Sequence, residues 1–126
     1  MKIYESGEMY LESIFLLSKS KGNVRSIDVV NQTGYSKPSV SRAIGLLKNA
    51  GHLQVTEEGY LVLTDSGIQI AKTMYERHLL LTELFIKLGV REEVASNDAC
   101  KIEHVISEES FSALKEHSRH FLNDKK

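Results

Sequence analysis

Apolar and polar positions along the chain predict six helices and two short strands. Apolar residues that recur every three or four positions predict helices, and two short apolar runs around a glycine-containing loop predict a hairpin. The predicted helices cover about residues 6–19, 27–32, 37–50, 65–88, 92–106 and 108–122, and the predicted strands cover 53–56 and 60–63. Residues that favour helix N-caps precede four of these helices: Ser26, Ser36, Thr64 and Ser107. The pattern therefore predicts a mostly α protein.

The order of elements in residues 1–64 is helix, helix, helix, strand, strand, which is typical of a winged helix-turn-helix. Val29 of the second helix can pack on Val40 and Ile44 of the third. Gly34 lies in the turn between them, where a positive φ is usually needed. We therefore expect an N-terminal winged helix-turn-helix DNA-binding domain.

The long fourth helix, 65–88, predicts a second domain. Its second half, 78–86, is apolar on nearly every side, so it must be buried in its own core or against another subunit. We expect residues 65–126 to form a helical dimerisation domain, with 65–88 as the linking helix, and the chain to be a homodimer.

Composition is that of a soluble globular protein, with 41% hydrophobic and 26% charged residues in 126. The N-terminal segment carries Glu5, Glu8 and Glu12, which exclude a signal peptide, and no apolar run is long enough to span a membrane. The single cysteine cannot form an internal disulfide. We therefore expect a cytoplasmic protein with no membrane partner.

Charge is unevenly distributed, although the net charge is only −1. Residues 19–54 carry six basic side chains against one acidic one, a net +5, between two acidic flanks. Such a basic segment suits a phosphate-binding surface, and the third helix would enter the major groove of double-stranded operator DNA. The candidate DNA-binding residues are Arg25, Ser36, Lys37, Pro38, Ser39, Ser41, Arg42 and Lys48. Arg42 is suited to reading guanine, whereas Arg25 and Lys48, with Lys21, are better suited to phosphates.

Cys100, Glu103 and His104 share one face of the predicted fifth helix. Sulfur, carboxylate and imidazole at this spacing can bind a transition metal. Met9 and Glu12 share a face of the first helix, and His78 on the long helix adds an imidazole. Each residue taken singly has a plainer explanation: a buried cysteine, a solvated acid, a packed methionine or a core histidine.

Two stretches resemble the metal-binding signatures of the diphtheria-toxin-repressor family. They are Glu-Met-Tyr-Leu-Glu-Ser-Ile-Phe at 8–15 and Asn-Asp-Ala-Cys-Lys-Ile-Glu-His-Val-Ile-Ser at 97–107. The resemblance extends to Arg77-His78 and the winged helix, and so covers essentially the whole chain. It implies a metal-activated, homodimeric repressor of metal uptake or homeostasis genes, with a helical metal-binding and dimerisation domain. It further implies the short form that has two domains and no third, SH3-like one.

The resemblance also implies the metal ligands, which are Met9, Glu12, His78, Cys100, Glu103 and His104. The set is mixed, because Met9 and Cys100 match the iron-responsive branch, whereas Glu12 and His78 match the manganese-responsive branch. Thr82 and Ser96 stand where the iron branch has a carboxylate and a histidine of an ancillary site, so that site is implied to be absent or rebuilt. Thioether and thiolate donors suit ions softer than manganese, so we expect Fe(II) ahead of Mn(II).

We therefore predict a metal-activated transcriptional repressor of a palindromic operator. The alternative is a metal-independent winged-helix repressor that responds to an organic ligand or to cysteine oxidation. A metalloenzyme is disfavoured, because no separate general base, nucleophile or substrate-binding glycine loop accompanies the donor set. We expect no enzymatic activity and no small-molecule substrate.

Overall fold

The computed structural model describes the chain over residues 5–123 and the side chains of residues 7–119. Within these residues the chain forms six α-helices and one two-stranded antiparallel sheet. The helices are α1 Glu5–Lys21, α2 Ser26–Thr33, α3 Lys37–Asn49, α4 Asp65–Lys87, α5 Glu92–Ile102 and α6 Glu108–Asn123, and the strands are β1 Leu53–Val55 and β2 Leu61–Leu63. The predicted mostly α fold, with its order of elements, is confirmed.

Two compact units divide the chain between Met74 and Tyr75, so the boundary falls inside α4. In the first unit, α1, α2 and α3 pack together, and α1 and α3 also contact the hairpin. The core of this unit consists of buried aliphatic and aromatic side chains, among them Leu11, Ile14, Val24, Val29, Val40, Ile44, Leu47, Leu53 and Leu61.

The turn between α2 and α3 has the geometry that its sequence predicts. Gly34 follows α2 in the left-handed conformation, with φ 79°, and its N–H donates to Val30 O at 2.8 Å. Ser36 then begins α3, because its Oγ accepts from Ser39 N at 3.3 Å. A glycine and a capping serine therefore set the angle at which α3 leaves α2.

Two predicted helix boundaries are wrong. Arg25, not Ser26, is the N-cap of α2, and its N–H donates to the carboxylate of Asp28 at 2.8 Å. The fifth helix ends at Ile102 instead of about 106, and Val105 N and Ile106 N both donate to Ile102 O in the turn that follows. Glu103 and His104 therefore lie in the turn that follows α5.

A group of polar contacts joins the end of α3 to the start of α4. Thr64 Oγ1 donates to Gly51 O at 2.8 Å and accepts from Gly67 N at 3.3 Å, which confirms Thr64 as the cap of α4. Ser66 Oγ lies 2.8 Å from His52 Nδ1. The backbone of α4 passes so close to His52 that a Cβ at Gly67 would collide with the His52 carbonyl oxygen.

The apolar second half of α4 is only partly buried within one chain. Leu81 is buried, but Leu79 is 50% exposed and Leu88, just after the helix, is 68% exposed. An apolar groove of about 340 Å³ lies in the second unit; its lining residues are Leu81, Leu84, Phe85, Leu88, Ile102, Ile106, Leu114 and His117. Over residues 5–123, no helix combines the length and apolar character needed to cross a bilayer.

We predict that Gly67→Ala destabilises the protein by about 1–3 kcal/mol, because the new methyl group forces the backbone of α4 away from His52. Urea unfolding at fixed protein concentration measures the change. Gly45→Ala in α3 is the matched control: a Cβ there meets no atom within 4 Å, so it should stabilise the helix by about 0.5–1 kcal/mol. Equal effects of the two substitutions would contradict the close approach at Gly67.

Candidate metal centre and nucleic-acid interface

The carboxylate of Glu103 is the centre of a polar cluster in the second unit. Its side chain is fully buried, at 0% exposure. Glu103 Oε1 lies 2.9 Å from His78 Nδ1, and Glu103 Oε2 lies 3.9 Å from His104 Nε2. A buried acid and two imidazoles therefore meet from α4 and from the turn after α5.

Two hydroxyl groups lie on α4 and α5 near this cluster. Ser96 Oγ is 3.5 Å from His78 Nε2, so both ring nitrogens of His78 face polar atoms. Thr82 follows His78 by one helical turn, and its Oγ1 is buried without a hydrogen-bond partner among the described residues. Two neutral hydroxyl groups thus lie on the same two helices as His78 and the candidate ligand Cys100.

The donor set suits a divalent cation. Carboxylate oxygen and neutral imidazole nitrogen are ligands that Mn(II), Fe(II) and Zn(II) accept, and a buried carboxylate is stabilised by a nearby positive charge. The two carboxylate oxygens and two imidazole nitrogens come from three residues of one unit. This chemistry supports the prediction of a metal site at Glu103, His104 and His78.

The remaining predicted ligands lie on separate elements. Cys100 is exposed in the last turn of α5, one turn before Glu103. Met9 and Glu12 are half-buried on α1 in the first unit, where Ser13 Oγ contacts Met9 Sδ at 3.8 Å. Their participation stays a prediction.

The predicted DNA-binding face is exposed along α3. Val40, Ile44 and Leu47 point into the core at helical spacing, which leaves the opposite side of the helix to solvent. The predicted residues of this helix and its cap are all exposed, namely Ser36, Lys37, Pro38, Ser39, Ser41, Arg42 and Lys48. An exposed helix face with hydroxyl and basic side chains suits the major groove.

Arg25 is also exposed, and it has a structural role that the sequence did not reveal. Its Nη1 donates to the carbonyl of Glu58 at 2.6 Å, and its guanidinium lies 4.5 Å from the centre of the Tyr60 ring. Both partners belong to the hairpin, the wing of the fold, more than thirty residues away in sequence. Arg25 therefore holds the wing against the start of α2. No local pattern signals such a contact.

The one acidic residue of the basic segment is paired. Lys21 Nζ contacts Asp28 Oδ1 at 2.6 Å, while Asp28 Oδ2 accepts from Arg25 N. The hydrogen bond from Lys21, followed by that from the Arg25 backbone, lowers the pKa of Asp28 below its ordinary value of 3.8. Lys21, expected to contact phosphate, is thus held by an acid of its own unit.

The chain is similar to known proteins. Residues 64–126 match the family described as iron dependent repressor, metal binding and dimerisation domain. The HTH-type transcriptional regulator MntR of Bacillus subtilis is 32% identical over 119 residues, which is 94% of this chain and 84% of that protein.

Two solved structures are also similar. A manganese-dependent transcriptional repressor in complex with manganese is 27% identical, with a TM-score of 0.79 over 88% of this chain and 51% of its own. The manganese regulator SloR is 23% identical, with a TM-score of 0.78 over 98% of this chain and 55% of its own, and shows the fold alone. The chain thus spans about half the length of these two solved proteins.

We predict that Asp28→Asn lowers stability at pH 7 by about 0.2–1 kcal/mol, the range for an exposed ion pair. Because the folded-state pKa of Asp28 is lowered, its contribution is fully present above pH 3.8 and is lost as pH falls through the folded pKa. The difference between wild type and variant in urea unfolding should therefore be constant from about pH 7 to 5 and shrink below pH 3.8. Lys21→Met should give a similar loss, and a double variant that loses the full sum of both would contradict the pairing.

Proposed function

This chain belongs to the diphtheria-toxin-repressor family of metal-dependent transcriptional repressors, and from that membership we propose that it represses metal-ion uptake or homeostasis genes when a divalent metal ion is bound. It does so as a homodimer on a palindromic operator. The observation that carries the proposal is the buried carboxylate of Glu103 between the imidazoles of His78 and His104. A carboxyl group and two imidazoles that meet in this way offer a set of donors that divalent transition metals bind.

The proposed ligands are Met9, Glu12, His78, Cys100, Glu103 and His104. A bound divalent ion would supply the positive charge that holds carboxylates and neutral imidazoles together. Met9 and Glu12 belong to the helix that packs on α2 and α3, whereas the other ligands belong to the second unit. Joining the two sets would fix the separation of the two α3 helices in a dimer, which must be about one DNA turn, ~34 Å. Metal binding would therefore select the DNA-binding conformation from a looser ensemble.

Operator binding is proposed for the exposed face of α3. Arg42 is suited to a two-bond contact with guanine O6 and N7, and the hydroxyls of Ser39 and Ser41 to bases or phosphates. Lys48 and Arg25 would neutralise phosphates, with Arg25 also holding the wing. Because phosphate contacts release counterions, affinity should fall steeply with salt.

The homodimer is proposed from the second unit. Its apolar groove and the exposed Leu79 and Leu88 would be covered by a second copy of the chain, since exposed apolar patches of this kind mark association surfaces. The family whose description matches residues 64–126 is itself a dimerisation domain. A division into a DNA-binding domain, 1–64, and a metal-binding and dimerisation domain, 65–126, and a cytoplasmic location complete the proposal.

Fe(II) is the proposed physiological ion, on the strength of the two sulfur donors. Met9 and Cys100 add a thioether and a thiolate, which suit ions softer than Mn(II). Mn(II) is the second candidate, because one similar solved repressor is named as manganese-dependent and because Glu12 and Glu103 keep the donor set partly hard.

We predict that His104→Ala abolishes metal-stimulated operator binding while the circular dichroism spectrum stays that of wild type. The measurement is fluorescence anisotropy of labelled operator DNA at buffered free metal. Lys101→Ala, an exposed residue of α5 without a donor in the site, is the control and should leave stimulation unchanged. If the metal-free wild type binds the operator as tightly as the metallated protein, a metal-independent repressor responding to an organic ligand or to oxidation of Cys100 becomes the better explanation.

We predict that Met9→Asp shifts activation of operator binding from Fe(II) towards Mn(II), since a carboxylate replaces a thioether. The comparison is the free metal concentration at half-maximal operator binding, measured without oxygen for both proteins and both ions. Raw affinity does not answer the question, because Co(II), Ni(II) and Zn(II) bind more tightly than Fe(II) at most such sites. Activation of the wild type by Mn(II) at lower free concentration than by Fe(II) would reject the iron assignment.

A further inference from the structure

Arg77 is a buried arginine on α4, next to His78 and only 8% exposed. Its Nη1 donates to two backbone carbonyls, Glu103 O at 3.1 Å and Ile106 O at 2.9 Å. Its Nη2 pairs with Glu108 Oε2 at 3.1 Å, and the guanidinium lies 5.4 Å from the centre of the Phe111 ring. One side chain thus contacts the turn after α5 and the first turn of α6.

The two carbonyls enclose the segment that carries Glu103 and His104. The last carbonyls of a helix lack partners within the helix and must be satisfied from outside. The guanidinium of Arg77 donates to the carbonyls of Glu103 and Ile106, three residues apart, and so fixes the path of the backbone between them. Since Arg77 also binds Glu108, both ends of the turn are held to α4.

Glu103 is consequently held twice by adjacent residues of one helix. Arg77 binds its backbone carbonyl, while His78 contacts its carboxylate at 2.9 Å. We propose that Arg77 is a positioning residue for the metal site, one that sets the orientation of Glu103 and His104 without binding metal. This inference rests on the proposed metal-dependent function.

Only an arginine can make this set of contacts. Its planar fork reaches carbonyls on one nitrogen and a carboxylate on the other, whereas a lysine ammonium is a compact point charge on a flexible stem. Partners that orient metal ligands from outside the coordination sphere typically change metal affinity by 10- to 100-fold. Arg77 contacts the ligand's backbone instead of its side chain, and we expect an effect of at least about tenfold.

The test compares wild type, Arg77→Lys, Arg77→Met and the control Lys115→Met. Lys115 pairs with Glu76 at 2.9 Å, so the control also removes a cation that links α6 to α4. The partner of this cation is Glu76, whereas Arg77 binds Glu103. Three quantities are measured on full-length protein: hydrogen exchange of amides 103–106 in metal-free protein, affinity for Co(II) alone, and the visible ligand-field spectrum of the Co(II)-bound state. The spectrum reports coordination geometry, which a mere loss of stability leaves unchanged.

Both Arg77 variants should exchange faster at amides 103–106, bind Co(II) at least about tenfold more weakly and show shifted ligand-field bands. Lys115→Met should match wild type in all three. If Arg77→Met does not fold, the three measurements are made on Arg77→Lys, which keeps the positive charge but loses the planar guanidinium. An Arg77 variant that folds and keeps wild-type Co(II) affinity and spectrum overturns the positioning role. Wild type that binds no Co(II) instead rejects the proposed metal dependence, and this inference falls with it.

Discussion

Burying a carboxylate costs several kcal/mol unless nearby groups compensate, and the second unit is built around one such group, Glu103. His78 provides a hydrogen-bond partner for the side chain, and the ring of His104 lies beside it. Arg77 holds the same residue through its backbone. Because these partners come from the middle of α4 and from the turn after α5, satisfying one buried charge also fixes how these two elements pack. The residues that offer donors to a metal ion, Glu103, His78 and His104, are thus also residues around which this unit packs.

The first unit is subject to a different constraint. One face of α3 must be exposed to the proposed DNA ligand, while the opposite face is anchored in the core. Val40, Ile44 and Leu47 anchor α3, and the cap at Ser36 together with the left-handed Gly34 fixes where it begins. At its other end the polar contacts around Thr64 join α3 to the start of α4. Since α4 continues into the second unit, the helix proposed to read DNA and the residues proposed to bind metal are linked through one continuous element.

The uneven charge distribution fits these two roles. The net charge of the protein is only −1, yet residues 19–54 carry a net +5. Part of this positive charge also has a structural role, because Lys21 pairs with Asp28 and Arg25 holds the wing. The basic side chains of α3 itself, Lys37, Arg42 and Lys48, are exposed. Orientation on DNA would thus depend on where basic side chains are exposed, on α3 and at Arg25, instead of on bulk charge.

Local sequence determined much of this protein. Helical periodicity, the glycine at 34 and the caps at Ser36, Thr64 and Ser107 predicted the elements and their order, because each depends on residues within a few positions. The sequence also yielded the candidate metal ligands, since their spacing and the family resemblance are properties of the sequence, and their binding of metal stays a prediction. Only the tertiary structure decided the roles of Arg25 and Arg77, whose partners lie more than twenty-five residues away. It also ended α5 at Ile102, four residues before the periodicity did, and it brought the carbonyls of Glu103 and Ile106 to Arg77. A periodic pattern records which face of a helix is apolar, but a long-range hydrogen bond leaves no mark on the spacing of residues near it.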